Sequence, residues 1–169
     1  YRKDYDWDME IDIRTSSGDI SIDNWDEDYI QITAQITGYA HTRNRAMEIA
    51  EETEIDFSSR EGELKIRKED YHQGNLAASV SVDYQIKIPE NFNGDFNTSS
   101  GNVKIEDMAG ELQVETSSGN ISIDELLGDL RIDTSSGDLE ADDIIGDLTH
   151  VSSSGDLEID YLEIGRAHV

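Results

Sequence analysis

The chain has 169 residues, with 39 Asp+Glu against 13 Lys+Arg and a formal net charge of −26. That length suits one domain, and the acid excess repels phosphate backbones and anionic lipid headgroups, so no nucleic acid and no bilayer is held through a basic face. Without Cys there is no disulfide, thiolate metal site or cysteine nucleophile, and no run reaches the roughly 18 apolar residues of a membrane-spanning helix.

In chain order, the first predicted unit is Ile11-Asp12-Ile13-Arg14-Thr15-Ser16-Ser17-Gly18-Asp19-Ile20-Ser21-Ile22-Asp23. Apolar and polar residues alternate on both sides of a Thr-Ser-Ser-Gly turn, so residues 1–28 read as a first rung of two short strands. Residues 29–36 alternate as a further strand. Residues 43–53 form the one helix candidate, with Thr42 as N-cap and Ala46, Met47, Ile49 and Ala50 on its apolar side. Strands are expected at 54–58, 63–67 and 80–88, with a loop over 68–78. The whole of 29–91 is expected to be an irregular segment that caps the stack, and Pro89 marks its end.

Residues 92–163 are read as regular rungs. The motif that begins at Thr98 recurs at Thr116, Thr134 and Ser152, always eighteen residues on, and Gly110, Gly128 and Gly146 keep the same spacing. Leu112, Val114, Ile121, Ile123 and Leu126 reappear one unit later as Leu130, Ile132, Leu139, Ala141 and Ile144. Two strands and two turns per unit predict an all-β fold, a β-solenoid of 18-residue coils with one short helix, in which like residues stack about 4.8 Å apart. The glycine of Ser-Ser-Gly is expected to supply a positive-φ corner, and the hydroxyls to satisfy turn backbone groups. The pattern predicts a further glycine at 164, where the chain has Ile. Residues 164–169 also resemble the in-frame translation of a common sequencing adapter and are read as an adapter-derived tail, with a single domain over 1–163 and natural sequence expected past Glu163 and upstream of a first residue that is not Met.

The Thr-Ser-Ser-Gly-Asp-(Ile/Leu) motif, the intervening Gly-Asp-Leu, the helix after the first rung and Ile86-Lys87-Ile88-Pro89 together resemble the putative adhesin β-strand-repeat family of bacteria and archaea. The resemblance covers residues 9–163. It implies a surface- or envelope-associated, or secreted, β-solenoid without catalytic residues, tethered in some members by further segments. Some members resemble components of envelope stress responses.

The strongest chemical feature is an acidic edge. Stacking places Asp23, Glu106, Asp124, Asp142 and Asp160 in one column, with Asp107, Glu125 and Asp143 beside it and Glu111, Asp129 and Asp147 across the turn. Rows of hard oxygen ligands suit Ca²⁺, which takes six to eight oxygens, although neither a calcium β-roll repeat nor an EF-hand loop occurs. The simpler expectation is a solvated surface that discourages edge-to-edge pairing, with no cofactor. Asn102, Asn120, Asp138 and Asp156 form a second column assigned to turn structure. His150 falls in the inward column of Val114 and Ile132, and His41 and His72 fall in loops. Trp7, Trp25, Tyr1, Tyr5, Tyr29, Tyr39, Tyr71 and Tyr84 either offer a protein- or carbohydrate-binding platform or seal the open end of the stack. The reading is a non-catalytic structural or interaction module of adhesin-like type; the alternatives are a Ca²⁺-stabilised adhesion module and the extracytoplasmic part of an envelope-stress sensor or regulator.

Overall fold

The computed structural model describes residues 2–6, 9–60, 62–68, 78–89, 91–163 and 167–168. The strands are β1 (Arg2–Asp6), β2 (Glu10–Thr15), β3 (Ile20–Asn24), β4 (Tyr29–Tyr39), β5 (Ile55–Arg60), β6 (Glu63–Lys68), β7 (Ser79–Ile88), β8 (Gly94–Thr98) and β9 (Val103–Ala109). They continue as β10 (Leu112–Thr116), β11 (Ile121–Leu127), β12 (Leu130–Thr134), β13 (Leu139–Ile145), β14 (Leu148–Ser152), β15 (Leu157–Ile159), β16 (Leu162–Glu163) and β17 (Ala167–His168). A single helix among the described residues, α1 (Arg43–Glu52), lies between β4 and β5.

The strands make two sheets. Sheet A runs β1-β4-β7-β3-β9-β11-β13-β15, with β16 also on β13, and sheet B runs β17-β14-β12-β10-β8-β2-β6-β5. Pairing in the regular part is parallel and keeps the eighteen-residue step: Leu112 lies beside Leu130, Leu130 beside Leu148, Val103 beside Ile121, and Ile121 beside Leu139. The cause is the period-two pattern. Alternate aliphatic side chains point into the space between the sheets, where Ile11, Ile13, Val114, Ile123, Ile132 and Ile144 are fully buried. Burying such a side chain contributes about 1.5–3 kcal/mol. A one-residue slip would turn the whole set outward, which fixes the register. At β17 the step lengthens, since Ala167 rather than residue 166 pairs with Leu148.

The order of rungs in the stack differs from their order in the chain. β6 pairs in parallel with β2, and β7 with β3, so the segment 29–91 supplies a rung of its own outside the one formed by β2 and β3. The same segment covers that end with reversed strands: β4 is antiparallel to β7, and β5 is antiparallel to β6. Sequence alternation gives a strand's faces but not its neighbour, so this threading was not readable from the pattern.

The helix starts where expected: the Arg45 N–H donates to the Thr42 side-chain oxygen at 3.3 Å. Ile49 is buried, but Met47, expected on the apolar side, is 51% exposed. Gly38 admits the helix backbone against β4, since a Cβ there would lie 2.1 Å from the Ala46 carbonyl oxygen. That approach uses the face around Ile49 and leaves Met47 outside. The central part of the expected 68–78 loop lies outside the described residues, as do Tyr1, Trp7, Tyr71 and His72.

The turns bear out one expectation in part. Gly18 and Gly155 of the Ser-Ser-Gly motif take positive φ, at 114° and 128°, whereas Gly101, Gly119 and Gly137 do not; Gly110, Gly128 and Gly146 of the other turn are at φ 133°, 149° and 151°. Gly101, Gly119 and Gly137 are needed for close approach instead, because a Cβ on any of these three would fall within 1.7–1.8 Å of the carbonyl oxygen of the equivalent glycine one rung away. Thr98, Thr116 and Thr134 are buried, and each hydroxyl accepts the N–H of the glycine three residues on, at 3.0–3.1 Å. Beyond the turn a side-chain ladder runs the length of the stack. Asp19 accepts the Asn102 N–H at 2.8 Å, Asn102 that of Asn120 at 3.0 Å, Asn120 that of Asp138 at 3.2 Å and Asp138 that of Asp156 at 2.9 Å.

Candidate functional site

The acidic edge is built on a repeated bulge. In sheet A, Asp124 pairs with Glu106 and Asp142, and Leu126 with Met108 and Ile144, while Asp107, Glu125 and Asp143 sit between those pairs unmatched. Their φ angles are 54°, 54° and 50°, in the left-handed region. For L-residues that conformation costs roughly 1–2 kcal/mol, least for Asn and Asp. The extra residue shifts the alternation, so Met108, Leu126 and Ile144 turn inward and are buried, whereas Leu127 and Ile145 turn outward, 57% and 43% exposed. Ala109, in the same outward column, is covered by the segment through Phe92, whose N–H donates to the Ala109 carbonyl at 2.7 Å. A shallow groove results, lined by Asn24, Asp107, Glu125, Leu127, Asp143 and Ile145.

Charge along this edge is strained. The Glu125 carboxyl is held above the usual range, chiefly by its hydrogen bond to Asp107 and the charge of that residue. One column over, Lys104 lies 2.6 Å from Glu106; that hydrogen bond lowers the Glu106 carboxyl and raises the Lys104 ammonium. Asp23, paired beside Glu106, is raised first by burial and then by its contact with Glu106.

The structure therefore brings Asp23, Glu106, Asp124 and Asp142 into one column and Asp107, Glu125 and Asp143 into the bulge. Asp160 is held one rung beyond, its N–H donating to the Ala141 carbonyl at 3.0 Å. Glu111, Asp129 and Asp147 lie past the glycine turn, where Asp129 accepts the Asp147 N–H at 3.1 Å and Asn93 accepts that of Glu111 at 2.8 Å. The carboxylates are spread one per rung. Among the described residues no three acidic or imidazole side chains converge on a point that could hold a metal ion.

His150 faces the core as expected, beside Ile132; burial lowers its pKa, and its Nε2 has no hydrogen-bond partner among the described residues. Among the described residues the aromatics do not gather into one platform. Tyr5 stacks on Phe57 at 6.4 Å, joining the end strands of the two sheets, whereas Trp25 meets Tyr29 edge-on at 4.6 Å and donates its Nε1–H to the Tyr29 carbonyl. Tyr84 is buried in the core, its phenol pushed up to about 12 by burial, and Tyr39 is exposed. The sequence reading missed the exposed pair Leu127 and Ile145. The signal was present in the doublets Leu126-Leu127 and Ile144-Ile145, because in a strand one of two adjacent residues must face outward.

No helix among the described residues is long and apolar enough to cross a membrane. A comparison with curated proteins finds no match. Among solved structures, the chain is similar to a putative cell adhesion protein from Clostridium sporogenes at 11% identity and TM-score 0.39, over 99% of this chain and 96% of that one. It is also similar to a putative adhesin from Parabacteroides distasonis at 12% identity and TM-score 0.47, over 99% and 76% of the two chains. A putative lipid binding protein from the same organism matches at 15% identity and TM-score 0.32, over 99% and 95%. At the level of sequence, one family model matches residues 3–169, nearly the whole chain and every copy of the Thr-Ser-Ser-Gly motif. The chain belongs to the Toastrack DUF4097 family.

Proposed function

We propose that the chain is a non-catalytic interaction module of the cell envelope or of a secreted protein, a β-solenoid of 18-residue coils that presents its bulged edge to a protein partner. The observation that carries this reading is the outward pair Leu127 and Ile145, flanked by the carboxylates of Asp107, Glu125 and Asp143. Exposed aliphatic side chains held by a rigid sheet lose little entropy on contact and gain by being covered. The surrounding acids select what covers them, a surface offering apolar side chains with Lys or Arg beside them. The remaining carboxylates keep the module soluble and hold mobile counterions rather than a coordinated Ca²⁺.

A peptide array in which Leu/Ile and Lys/Arg content vary independently tests this. Binding is expected only where both are present, and the double variant L127S/I145S should lose about tenfold or more while Y39S binds as the parent does. Equal binding by parent and double variant would refute the assignment. For the counterion statement, Na⁺ and Ca²⁺ at equal ionic strength should raise the melting temperature equally; a larger rise with Ca²⁺ would show coordination.

A further inference from the structure

The bulged edge repeats from rung to rung, and the repeat limits the shape of what can lie on it. Leu127 and Ile145 are paired neighbours in one outward column, one rung apart. Glu125 and Asp143 stand two residues before them, and Asp129 and Asp147 two residues after, past the glycine turn. All four of these acids are exposed. The edge thus carries an apolar line along the stack axis, crossing the strands, with a carboxylate on each side of it at each rung.

Two lengths decide between occupants. Along the axis the step is the strand spacing, about 4.8 Å, so two rungs span about 9.6 Å. A helix laid on that axis brings residues i, i+3 and i+7 to one side at rises of roughly 4.5 and 10.5 Å, close to one rung and two. An extended strand repeats a face only every 6.6–6.8 Å or so and is out of step after one rung. Across the axis, the four residues from Glu125 to Asp129 span at most about 14 Å of chain. A helix is about 10–12 Å wide with its side chains, so its two flanks reach both acidic lines. A strand, about 4.8 Å from its neighbour in a sheet, is narrow enough to reach only one.

We propose that the occupant is an amphipathic α-helix of a partner protein, lying along the stack axis with Leu or Ile on Leu127 and Ile145 and with Lys or Arg on both sides of that apolar stripe. This rests on the reading of the bulged edge as a protein-docking face, and adds the conformation and charge pattern of what docks. Helices recognised in this way present apolar anchors at i, i+3 or i+4 and i+7. The flanking ion pairs remain at the wet rim, where each adds little energy but together they set the rotation of the helix about its own axis. The α1 helix of a second copy does not meet the requirement, since Arg43 and Arg45 are followed by Glu48, Glu51 and Glu52 and its Ile49 is buried.

Three synthetic peptides of about fifteen residues, marginal as free helices, test this against the full chain. The first places Leu at i, i+3 and i+7 with Lys on both sides of the stripe. The second rearranges the same residues to alternate with period two, and the third is the first with Pro at its centre, which breaks a helix. Fluorescence anisotropy should show the first binding about tenfold or more tighter than the other two, and difference circular dichroism should show it gaining helix on mixing. E125Q and D129N, on opposite flanks, should each weaken it about threefold, and L127S/I145S about tenfold or more. Equal binding of all three peptides, or binding of the first without gain of helix, overturns the helical occupant while leaving the docking face in place. A loss confined to one of the two flank variants does the same, since a strand touches one flank only. Binding of none of the three overturns the docking face and this inference together.

Discussion

A Cβ placed on Gly119 would lie 1.7 Å from the carbonyl oxygen of Gly101, one rung away. The obstacle is backbone held in two parallel sheets, not a side chain that can swing aside. G119A is therefore expected to cost about 3 kcal/mol, at the upper end of overpacking penalties. Gly62 gives the contrast: its φ is +85°, but a Cβ there meets nothing within 4 Å. G62A should cost only the left-handed backbone strain, about 1 kcal/mol. Denaturant titration of both variants checks this, and equal costs would show that close approach is not what selects glycine in the Ser-Ser-Gly turn.

The Asn/Asp ladder separates hydrogen bonding from charge. Asn120 accepts the Asp138 N–H, and Asp138 accepts the Asp156 N–H through Oδ1. N120A removes an acceptor at an exposed turn and is expected to destabilise by about 0.5–1 kcal/mol. D138N retains the Oδ1 acceptor while removing one charge from an acidic column, so it should be neutral or stabilising, more so at low salt. Thermal melts at two salt concentrations read both effects. A D138N protein as weakened as N120A would contradict the ladder.

Much of this fold is written in the sequence because the repeat does two jobs at once. Period-two alternation at Leu112, Val114, Ile121 and Ile123 states which faces are buried, and the eighteen-residue recurrence states which strands are neighbours. Where recurrence stops, only the first kind of information remains. The alternation of Val80–Ile88 marks a strand, but nothing in it says that β7 stacks outside β3. The bulge was hidden for another reason: its left-handed residues Asp107, Glu125 and Asp143 stand in a column of acids that reads equally well as a solvated strand face. The columns of acids were thus legible, and the doublets Leu126-Leu127 and Ile144-Ile145 state that one of each pair faces outward, but which one does depends on the bulge.

That conformation is itself testable. Glu125 combines a φ of 54° with a carboxyl raised by its contact with Asp107. E125G removes both the steric strain and the like-charge contact, while E125N relieves the charge and eases the strain. Both are expected to raise the melting temperature by about 2–4 °C, with E125Q, which keeps the strain, rising less. Should all three melt with the parent, the bulge stores no strain at this position.

The pH dependence of stability should carry two opposed signatures. Burial lowers the pKa of His150 below the usual imidazole value. Below about pH 6.5 the unfolded chain takes up a proton that the folded chain resists, so stability falls with acidification; above that pH the group contributes no slope. Asp23 and Asp95, raised mainly by burial, and Glu125, raised by Asp107, act the other way. As pH drops through their folded values toward the ordinary carboxylate range, the folded chain binds protons first and gains stability. H150I matches the Val114–Ile132 column and removes an unpartnered buried nitrogen. It should be more stable than the parent by about 1 kcal/mol at neutral pH, with the gap widening as pH falls. Urea titrations at fixed ionic strength measure that gap, and parallel pH profiles for the two proteins would show that His150 titrates as freely in the fold as in the unfolded chain.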